Sequence, residues 1–446
     1  MEYIPKTAAE EKEMLEEIGA SSLEDLLDIP TSLRLDRSLN LPPSLSQPAL
    51  RRKMLKLSRK NAESSSSLSF LGGGSYDHYV PSTVDHVLRR SEFYTAYTPY
   101  QAEMSQGLLQ TIYEYQTMIC QLTGMEVACA SVYDGASALA EGALMAIRKT
   151  KRKKVLISRT VHPHYRQVVE TYLSGLEGVV LKEIPLDSGQ VSLQALEDSM
   201  DDSVAAVLVQ HPNFLGQLEE MSKIAQWVHA EGGLLVMAVD PISLGVLKTP
   251  GEYQADIAVG EGQALGNAIS YGGPYVGFFA TRREMIRQMP GRVVGATTDA
   301  KGRPGFCLTL QTREQHIRRE RATSNICTNQ ALNALASAVY MATVGREGLR
   351  EVALLCLAKS HAAQKKILEI PDVSASFDGP FFKEFVVRLP YAVSSLLEAL
   401  SREGLFAGID LGVYYPELEN HLLICVTEEH EAEEIDLLVE KLRAAS

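Results

Sequence analysis

Hydrophobic and polar positions change their pattern near residue 100. Beyond it, short apolar runs alternate with longer amphipathic runs. The runs that predict strands are EVACAS, KVLIS, VVLKEI, VAAVLVQ, LLVMAV and DIAVG, and those that predict helices are GASALAEGALMAIRK, HYRQVVETYLSG, SLQALEDSM and MSKIAQWVHAEG. Strands that are apolar almost throughout and alternate with helices are typical of a parallel sheet covered on both faces. The pattern therefore predicts an α/β fold, followed by a strand–turn–strand segment, ISYGGPYVGFFA.

Residues 1–100 predict a helical and aromatic arm. Helices are indicated by AEEKEMLEEIG, LEDLLDIP and PALRRKMLKLSRKNA, the last with an apolar stripe of Leu50, Met54 and Leu57. The segments SSSSLSFLGGGSYDHYVPS and EFYTAYTPYQ are rich in glycine, serine, proline and aromatic residues and have no usable period. An aromatic coil of this kind is not stable alone, so we expect it to lie against its own domain or a partner.

Two domains are predicted to follow the arm. Residues 101–330 form the large α/β domain, which begins with the long helix MSQGLLQTIYEYQTMICQLTG. Residues 331–446 predict a bridging helix and then a small α+β domain, in which the strands FFKEFVVRLP and HLLICVT each precede a helix.

Composition and charge narrow the class of protein. Of the 446 residues, 45% are hydrophobic and 22% charged, which is ordinary for a globular chain. The net charge of −13 argues against nucleic acid or an anionic membrane as a partner. No apolar run approaches the roughly 18 residues of a membrane span, and the acidic amino-terminal segment lacks the apolar region of a secretory signal. We therefore expect a cytoplasmic protein.

The cysteines predict neither a metal site nor a redox pair. None belongs to a C-x-x-C motif, and most have apolar neighbours, as in LLICV. Buried free thiols in a reducing compartment are therefore expected. The positions are Cys120, Cys129, Cys307, Cys327, Cys356 and Cys425.

Polar residues follow the predicted strands at the edge where open α/β sheets place their sites. Singly, each is compatible with an ordinary cap, turn or surface position. Their order matches an aminotransferase-type pyridoxal phosphate site, with a helix start for the phosphate and an Asp for the ring nitrogen. In chain order they are Gly135, Ala136 and Ser137 at a helix start, then His162, His164, His211, Asn213 and Asp240.

The lysine that such a site requires is missing. A Schiff base needs an amine, normally a couple of dozen residues past the Asp. The only lysine in the segment after Asp240 is Lys248, eight residues on, in a loop beside Pro250. Gln263, 23 residues past Asp240, occupies the expected place. A glutamine cannot form an aldimine, so we expect a pyridoxal-enzyme scaffold without its covalent anchor.

Several long motifs carry a family resemblance. FLGGGSYDHYVPS, TAYTPYQAEMSQGLLQ, YDGASALAE, HPNFLGQLE and RATSNICTNQAL closely resemble the glycine-cleavage P-protein family, in its short bacterial form built from two homologous chains. The resemblance spans nearly the whole chain. It implies a large domain of the aminotransferase type (pyridoxal phosphate fold type I). Sliding the family's lysine segment onto Gly272-Gly273-Pro274 places the lysine close to Gln263.

The resemblance also implies a reaction and partners. The family forms an α2β2 assembly in which the beta subunit holds the pyridoxal phosphate lysine. Glycine is decarboxylated, carbon dioxide is released, and the aminomethyl group passes to the lipoyl arm of the H-protein. This chain then corresponds to the subunit without the lysine, mainly structural and inactive alone. The residues after the strands, with Asp134, become relics of an ancestral pocket, left empty or kept as hydrogen-bond partners.

Under this resemblance the chain has two candidate contact regions besides a structural role. Tyr97, Tyr100 and Gln101 are expected to reach the partner's active site, the alternative being that they pack within this chain. A basic helix is expected to steer the acidic H-protein, the alternative being a solvated face. Its cations are Arg51, Arg52, Lys53, Lys56, Arg59 and Lys60.

Some questions stay open from the sequence. His316 and Arg319, in the motif EQHIRRERATSN, have no derivable role. The rival interpretations are a self-sufficient pyridoxal enzyme that uses Lys248 or a displaced lysine, and a scaffold that binds only the H-protein.

Overall fold

The computed structural model describes residues 6–61, 67–326 and 330–445. The chain divides into two compact units, Met1–Ala62 and Glu63–Ser446. The α-helices of the described residues are α1 (Ala8–Glu17), α2 (Gln47–Ser58), α3 (Ser82–Leu88), α4 (Ser91–Tyr94), α5 (Gln106–Thr123), α6 (Gly135–Thr150), α7 (Pro163–Ser174), α8 (Leu193–Glu197), α9 (Met221–Ala230), α10 (Gln315–Arg318), α11 (Ala331–Ile367), α12 (Val393–Arg402) and α13 (Ala432–Ala444).

The strands alternate with these helices along the second unit. Within the described ranges they are β1 (Leu68–Ser69), β2 (Val127–Ala128), β3 (Lys154–Ser158), β4 (Val180–Ile184), β5 (Leu186–Asp187), β6 (Gln190–Val191), β7 (Val204–His211), β8 (Leu234–Val239), β9 (Ile257–Glu261), β10 (Gly277–Thr281), β11 (Val293–Thr298), β12 (Pro304–Thr309), β13 (Ser374–Ala375), β14 (Glu384–Arg388), β15 (Leu405–Phe406), β16 (Ile409–Asp410) and β17 (His421–Cys425).

The first unit, taken by itself, consists of short helices that carry exposed apolar side chains. Helix α1 begins with a capping box, because the Thr7 hydroxyl accepts from the Glu10 amide and the Glu10 carboxylate accepts from the Thr7 amide. The predicted stripe of Leu50, Met54 and Leu57 does lie on helix α2, but all three side chains are exposed. This helix therefore has no apolar core of its own.

The second unit is built on a mainly parallel sheet, as predicted. Seven strands of the described chain form it in the order β2-β10-β9-β8-β7-β3-β4. The pairs from β4 to β9 are parallel, and β10 is antiparallel to both its neighbours. The strand–turn–strand prediction for ISYGGPYVGFFA is wrong in its first half, since only β10 forms there. The preceding residues turn instead, with Gly272 and Gly273 at positive φ angles.

Apolar side chains cover both faces of this sheet. On one face, Leu139 and Ala143 of α6 and Val169 of α7 pack against β-strand residues such as Val236. On the other face, side chains of α5, α9 and α11 pack against the opposite side of the same strands. Near-continuous burial of β7 and β8 explains why their sequences are apolar at almost every position.

The carboxyl-terminal part forms a second, smaller sheet. Strands of the described chain are ordered β13-β14-β17-β16, and all the pairs are antiparallel. Phe385 and Ile424 of this sheet pack with Leu438 of α13 and Ile367 at the end of α11. The predicted bridging helix exists as α11 but is interrupted at Gly345, whose φ of 61° is not helical.

Residues 67–79 run through the second unit rather than over its surface. Strand β1 pairs with β15, and the chain continues as an extended segment in which Phe70, Tyr76 and His78 are buried. Helices α3 and α4 follow, neither of which was predicted from the sequence. The order of this segment comes from contacts distant in sequence, which no local pattern reports.

Candidate functional site

The carboxyl ends of the parallel strands meet at one edge of the central sheet, as expected for an open α/β fold. Asp240 follows β8, Glu261 ends β9, and Gln263 lies two residues beyond it. Buried side chains of residues 70–79 and of Lys383, directly before β14, lie over this edge. The candidate site is therefore assembled from three separate parts of the second unit.

The Gln263 side chain holds the backbone of Tyr76 through hydrogen bonds. The side chain is only 2% exposed. Its Nε2 donates to the carbonyl oxygens of Tyr76, at 2.9 Å, and Asn267, at 2.7 Å. Its Oε1 accepts from the Tyr76 amide at 2.9 Å. The amide thus uses both its donor and acceptor groups to hold Tyr76, a function that a lysine side chain could not perform.

Asp240 forms a buried ion pair with Lys383, whose Nζ lies 2.8 Å from Oδ2. The side chains are 9% and 1% exposed. Burial disfavours the ammonium, but the attraction of Asp240 outweighs it and raises the pKa of Lys383 above its ordinary value. Nζ also lies 3.3 Å from the centroid of the Tyr76 ring. Asp240 is therefore already neutralised by a cation of this chain.

A chain of hydrogen bonds continues from Lys383. Its Nζ donates to Nε2 of His78 at 2.9 Å, and Nδ1 of His78 donates to Glu428 at 2.6 Å. Burial and the nearby Lys383 lower the pKa of His78, which is consistent with a neutral ring. The Cys356 thiol donates to the same Glu428 oxygen at 3.3 Å. Hydrogen bonds account for the approach of these three metal-ligand-type side chains.

A carboxylate lies at the helix start that was predicted to hold a phosphate. Oε2 of Glu261 accepts from the Gly135 amide at 3.0 Å, while Oε1 accepts from the amides of Val276 at 3.0 Å and Gln263 at 3.1 Å. Burial raises the pKa of Glu261 to about 7, against these three donors, which favour the ionised form. A Cβ atom at Gly135 would lie 2.3 Å from the Tyr165 hydroxyl, so the helix start is closely packed.

Asp134 and Ser137, at the start of helix α6, form hydrogen bonds with each other. Asp134 caps α6, since its carboxylate accepts from the Ser137 amide at 2.7 Å and the Ser137 hydroxyl donates to its carbonyl. Ala136 is buried beside them. The predicted positions 135–137 are thus at the start of the helix, as expected, and the Gly135 amide and the Ser137 amide and hydroxyl have partners in this chain.

His162 and His164 have separate environments. Nε2 of His162 donates to the Gly73 carbonyl at 2.7 Å, and Nδ1 accepts from the His164 amide at 3.1 Å. The His162 ring stacks on Tyr165 at 4.9 Å. Burial lowers the pKa of His162 to about 4, whereas His164 is exposed. His162 therefore holds the segment that carries Tyr76 rather than facing an open pocket.

Asn213 fastens a loop. Its Nδ2 donates to the Gly189 carbonyl and to Glu219, both at 2.8 Å, and its Oδ1 accepts from the amides of Leu215 and Gln217. All the hydrogen-bonding capacity of this buried amide is used within the chain. Its position after β7 was predicted, and its contacts are structural.

His211, at the end of β7, keeps one free ring nitrogen. Its Nδ1 accepts from the Glu219 amide at 3.0 Å, while Nε2 is buried without a hydrogen-bond partner among the described residues. The ring meets Tyr253 edge to face at 5.7 Å. Burial lowers the pKa of His211 to about 4, so the imidazole is neutral.

Little space remains around Asp240. A cavity of about 30 Å³ is lined by Tyr76, Asp240 and Glu261, and one of about 10 Å³ by Tyr76, Asp240 and Lys383. These volumes hold one or two water molecules. The expectation of an empty pocket is not met at this edge, and the residues present do not fit a pyridoxal phosphate. Asp240, which would hold the ring nitrogen, is already paired with Lys383, and the Gly135 amide at the helix start, which would face the phosphate, already donates to Glu261.

The structure unites two motifs that the sequence left apart. Nη2 of Arg292 donates to the Tyr100 hydroxyl at 2.9 Å, and Nε lies 3.4 Å from Glu314. The rings of Tyr100 and His316 meet edge to face at 5.5 Å, and His316 lies 3.6 Å from Glu314. Tyr100 is thus held by the region of the EQHIRRERATSN motif. Arg319 is exposed nearby in sequence, with a φ of 51°.

Tyr97 and Gln101 face away from the core of this chain. Tyr97 is 79% exposed and Gln101 is exposed as well, while Tyr100 is half-exposed. The alternative that Tyr97 packs within this chain is therefore wrong. These side chains form a surface, which we call the aromatic surface, defined by Tyr97, Tyr100, Gln101 and His316.

The cationic helix and the thiols complete the predicted features. The six cations predicted on the basic helix, at positions 51–60, are exposed, and none forms an ion pair with another described residue. Cys129, Cys356 and Cys425 are buried free thiols and Cys120 and Cys307 are partly buried. Cys327 lies outside the described residues. No helix in the described ranges is long and apolar enough to span a membrane.

Sequence reasoning missed the side chains that fill the site. Tyr76, His78, Lys383, Glu261 and Glu428 were assigned no role. The signals were present but weak: a charged pair interrupts the apolar run FFKEFVV, and an Asp–His pair lies within the aromatic coil. A buried charge in an apolar strand indicates a partner, but the sequence does not say which.

The chain resembles known proteins over its full length. The family model described as glycine cleavage system P-protein matches residues 1–442. The "probable glycine dehydrogenase (decarboxylating) subunit 1" of Carboxydothermus hydrogenoformans is 56% identical over 443 residues, 99% of each chain. A crystal structure of glycine decarboxylase (P-protein) of the glycine cleavage system, in inhibitor-bound form, is 45% identical, covers 100% of both chains and has a TM-score of 0.91.

A more distant structure supports the fold alone. A NifS-like protein is 15% identical, covers 85% of this chain and 99% of its own, and has a TM-score of 0.64. With the mainly parallel sheet, these neighbours confirm the predicted aminotransferase-type fold, pyridoxal phosphate fold type I.

We predict that acid destabilises the fold partly through His211. Its folded-state pKa is about 4, so as the pH falls below the ordinary value of about 6.5 the unfolded chain binds a proton that the folded chain does not. His211→Asn, which keeps an acceptor for the Glu219 amide, should reduce the loss of stability between about pH 7 and pH 5 by about 2 kcal/mol. Chemical denaturation of the full chain at both pH values measures it.

The exposed His164→Asn serves as the matched control, and its loss of stability should equal that of the parent chain. An identical loss in the parent and in His211→Asn would contradict the assignment of this pH dependence to His211.

Proposed function

Because the chain belongs to the glycine cleavage system P-protein family, we propose that it is the alpha subunit, subunit 1, of a glycine dehydrogenase (decarboxylating). It works with a homologous beta subunit in an α2β2 assembly in the cytoplasm. The beta subunit binds the pyridoxal phosphate. The assembly decarboxylates glycine, releases carbon dioxide and transfers the aminomethyl group to the lipoyl arm of the H-protein. This chain alone is inactive.

The observation that carries this division of labour is the contact pattern of Gln263. Its amide has no nucleophilic nitrogen, and it is committed to Tyr76 and Asn267. The buried amine nearby, Lys383, is held as an ammonium by Asp240. Neither group supports a covalent cofactor on this chain, so we assign the Schiff base to the partner.

The rival interpretation through Lys248 has less support. This side chain is exposed, and its Nζ lies 5.9 Å from the Tyr253 ring centroid, over an aromatic face. A Schiff-base lysine needs an environment that favours its neutral amine. For a displaced lysine, the buried amine beside Asp240 is that of Lys383, and its raised pKa opposes nucleophilic attack.

We also propose that the aromatic surface contributes to the partner's active site. The Tyr97 hydroxyl is free to meet another chain because its side chain is 79% exposed. Tyr100 is oriented by Arg292 and His316, which fixes the direction of its ring. Tyrosines of this kind combine an apolar face with a hydrogen-bonding end, as interfaces commonly require.

We predict that the cofactor is bound covalently only to the beta subunit. The alpha chain alone and the alpha–beta assembly are each incubated with pyridoxal phosphate and reduced with borohydride, and the adducts are located by peptide mass spectrometry. The expected adduct lies on one beta lysine. Labelling is expected to be substoichiometric at Lys248 and absent at Lys383, since one is solvent-exposed and the other buried and ion-paired.

The variant Lys248→Arg is the control for surface labelling, and it should leave the turnover of the assembly unchanged. Stoichiometric labelling of Lys248, or of any other alpha lysine, would instead favour the self-sufficient enzyme.

We predict that Tyr97→Phe and Tyr100→Phe each lower the turnover of the assembled enzyme by about three- to tenfold, the loss expected for one hydrogen bond to the reacting centre or cofactor. Turnover and cofactor retention are measured in the α2β2 assembly, with gel filtration to confirm that it forms. Tyr172→Phe, on α7, is the matched control. Turnover and cofactor retention unchanged in both variants would exclude the direct role.

We predict that the basic helix α2 docks the acidic H-protein. Reversing Arg52, Lys53 and Lys56 to Glu should raise the apparent KM for the H-protein by about tenfold at low salt without changing kcat, and the difference should shrink as ionic strength rises. Reversal of three exposed lysines elsewhere, at Lys149, Lys223 and Lys365, is the matched control. A KM of the parent enzyme that does not vary with salt would argue for a merely solvated face.

A further inference from the structure

The edge of the sheet around Asp240 is closed by side chains with particular chemistry. A pyridoxal phosphate offers a protein three features to bind: an anionic phosphate, a protonated ring nitrogen and a flat aromatic ring. This chain places an anion, a cation and an aromatic ring at the same edge. All three groups are side chains of this chain. Each contacts a group that could also contact the corresponding part of the cofactor.

The anionic group is the Glu261 carboxylate, whose ionised form is favoured by three amide donors although burial raises its pKa to about 7. One of its oxygens accepts from the Gly135 amide, at the amino-terminal end of the 16-residue helix α6, and the other accepts from Val276 and Gln263. Amide donors at a helix start, together with the helix dipole, are what holds a phosphate in many proteins. Here the carboxylate takes up the first of these amides, that of Gly135.

The cation is Lys383, which donates to Asp240 at 2.8 Å. A carboxylate in this position after the strand could hold a protonated ring nitrogen. The ammonium of Lys383 provides the same charge and the same kind of N–H donor. Its side chain is 1% exposed, and the residue directly precedes β14 in the carboxyl-terminal part of the chain. The negative charge of Asp240 is therefore paired with a cation of this chain, and no bound ligand is needed for that.

The ring is Tyr76. It lines both small cavities together with Asp240, and the Lys383 ammonium lies 3.3 Å from its centroid. Its hydroxyl donates to Glu384 at 2.8 Å, and its backbone is clamped on both sides by Gln263. The residue at the expected lysine position is thus the one that holds the aromatic ring in place.

We propose that this chain carries a built-in substitute for pyridoxal phosphate, in which Glu261 stands for the phosphate, Lys383 for the protonated ring nitrogen and Tyr76 for the pyridine ring. The substitute closes the site as a structural core without any cofactor. It also excludes phosphate-bearing aromatic ligands, because their contacts are already made. The proposal concerns the residues of this chain and does not depend on the proposed assembly.

The substitute has a second consequence for the fold. Its three members come from residues 70–79, from the end of β9 and from the segment that begins β14. The substitute therefore ties the small sheet and the buried segment to the central sheet in one fixed arrangement.

Removal of the substitute should restore a ligand site. The full chain with Tyr76→Ala, Glu261→Ala and Lys383→Ala leaves an unpaired Asp240, free amides at α6 and space for a ring. Pyridoxamine phosphate is the probe, since its amine cannot react with surface lysines. Equilibrium dialysis should show binding at least about tenfold tighter than to the parent chain. The exposed triple variant Tyr271→Ala, Glu114→Ala and Lys301→Ala should match the parent.

A single variant covers the case in which the triple variant does not fold. Glu261→Ala leaves the aromatic ring and the buried ammonium in place and frees the three amides that donate to Glu261, one of them at the helix start. Inorganic phosphate should therefore raise its melting temperature and leave that of the parent unchanged. Tight, stoichiometric binding of pyridoxamine phosphate to the parent chain would overturn the proposal. Equal affinities of the folded triple variant and the parent, or no phosphate effect on Glu261→Ala, would overturn it as well.

Discussion

The buried ion pair between Lys383 and Asp240 constrains the rest of the second unit. A charge that is 1% exposed is tolerated only with a partner and further hydrogen bonds. Lys383 satisfies that requirement with Asp240, with His78 and with the face of Tyr76. The small sheet, the segment 70–79 and the end of β8 must therefore meet at one point. Loss of either charge would leave the other buried and unpaired, which is strongly destabilising.

The other features of this edge follow from that meeting point. Gln263 holds the Tyr76 backbone from both sides and Glu384 accepts from its hydroxyl, which together keep the ring beside the ammonium. Glu261 can remain buried only because three amides, including that of Gly135, donate to it. Each contact removes space or donors that a cofactor would use. A lysine at position 263 would lose the clamp, so the missing amine and the filled pocket are two aspects of one arrangement.

Local sequence patterns predicted what depends on local physics. Buried parallel strands such as β7 and β8 are apolar throughout, so they were found with their crossover helices, and the polar residues after them, including Asp240, were placed at the correct edge. The contacts of the site could not be predicted in this way. Lys383 and Tyr76 are separated by more than 300 residues in sequence, and only tertiary structure pairs them. For the same reason, the contact between Tyr100 and His316 could not be predicted from the sequence.

The polar side chains around Asp240 are already bonded to one another, and this determines which part of the chain can contribute to a reaction. The Asn213 amide and both N–H groups of the Gln263 side chain are fully used within the chain, and the charge of Asp240 is paired with a cation. Groups that can still form bonds to another molecule must be exposed, and among the predicted residues the aromatic surface has them, with Tyr97 as the most accessible. A chain whose inner site is closed by its own side chains can therefore contribute to chemistry through its surface, which is where a partner subunit would receive it.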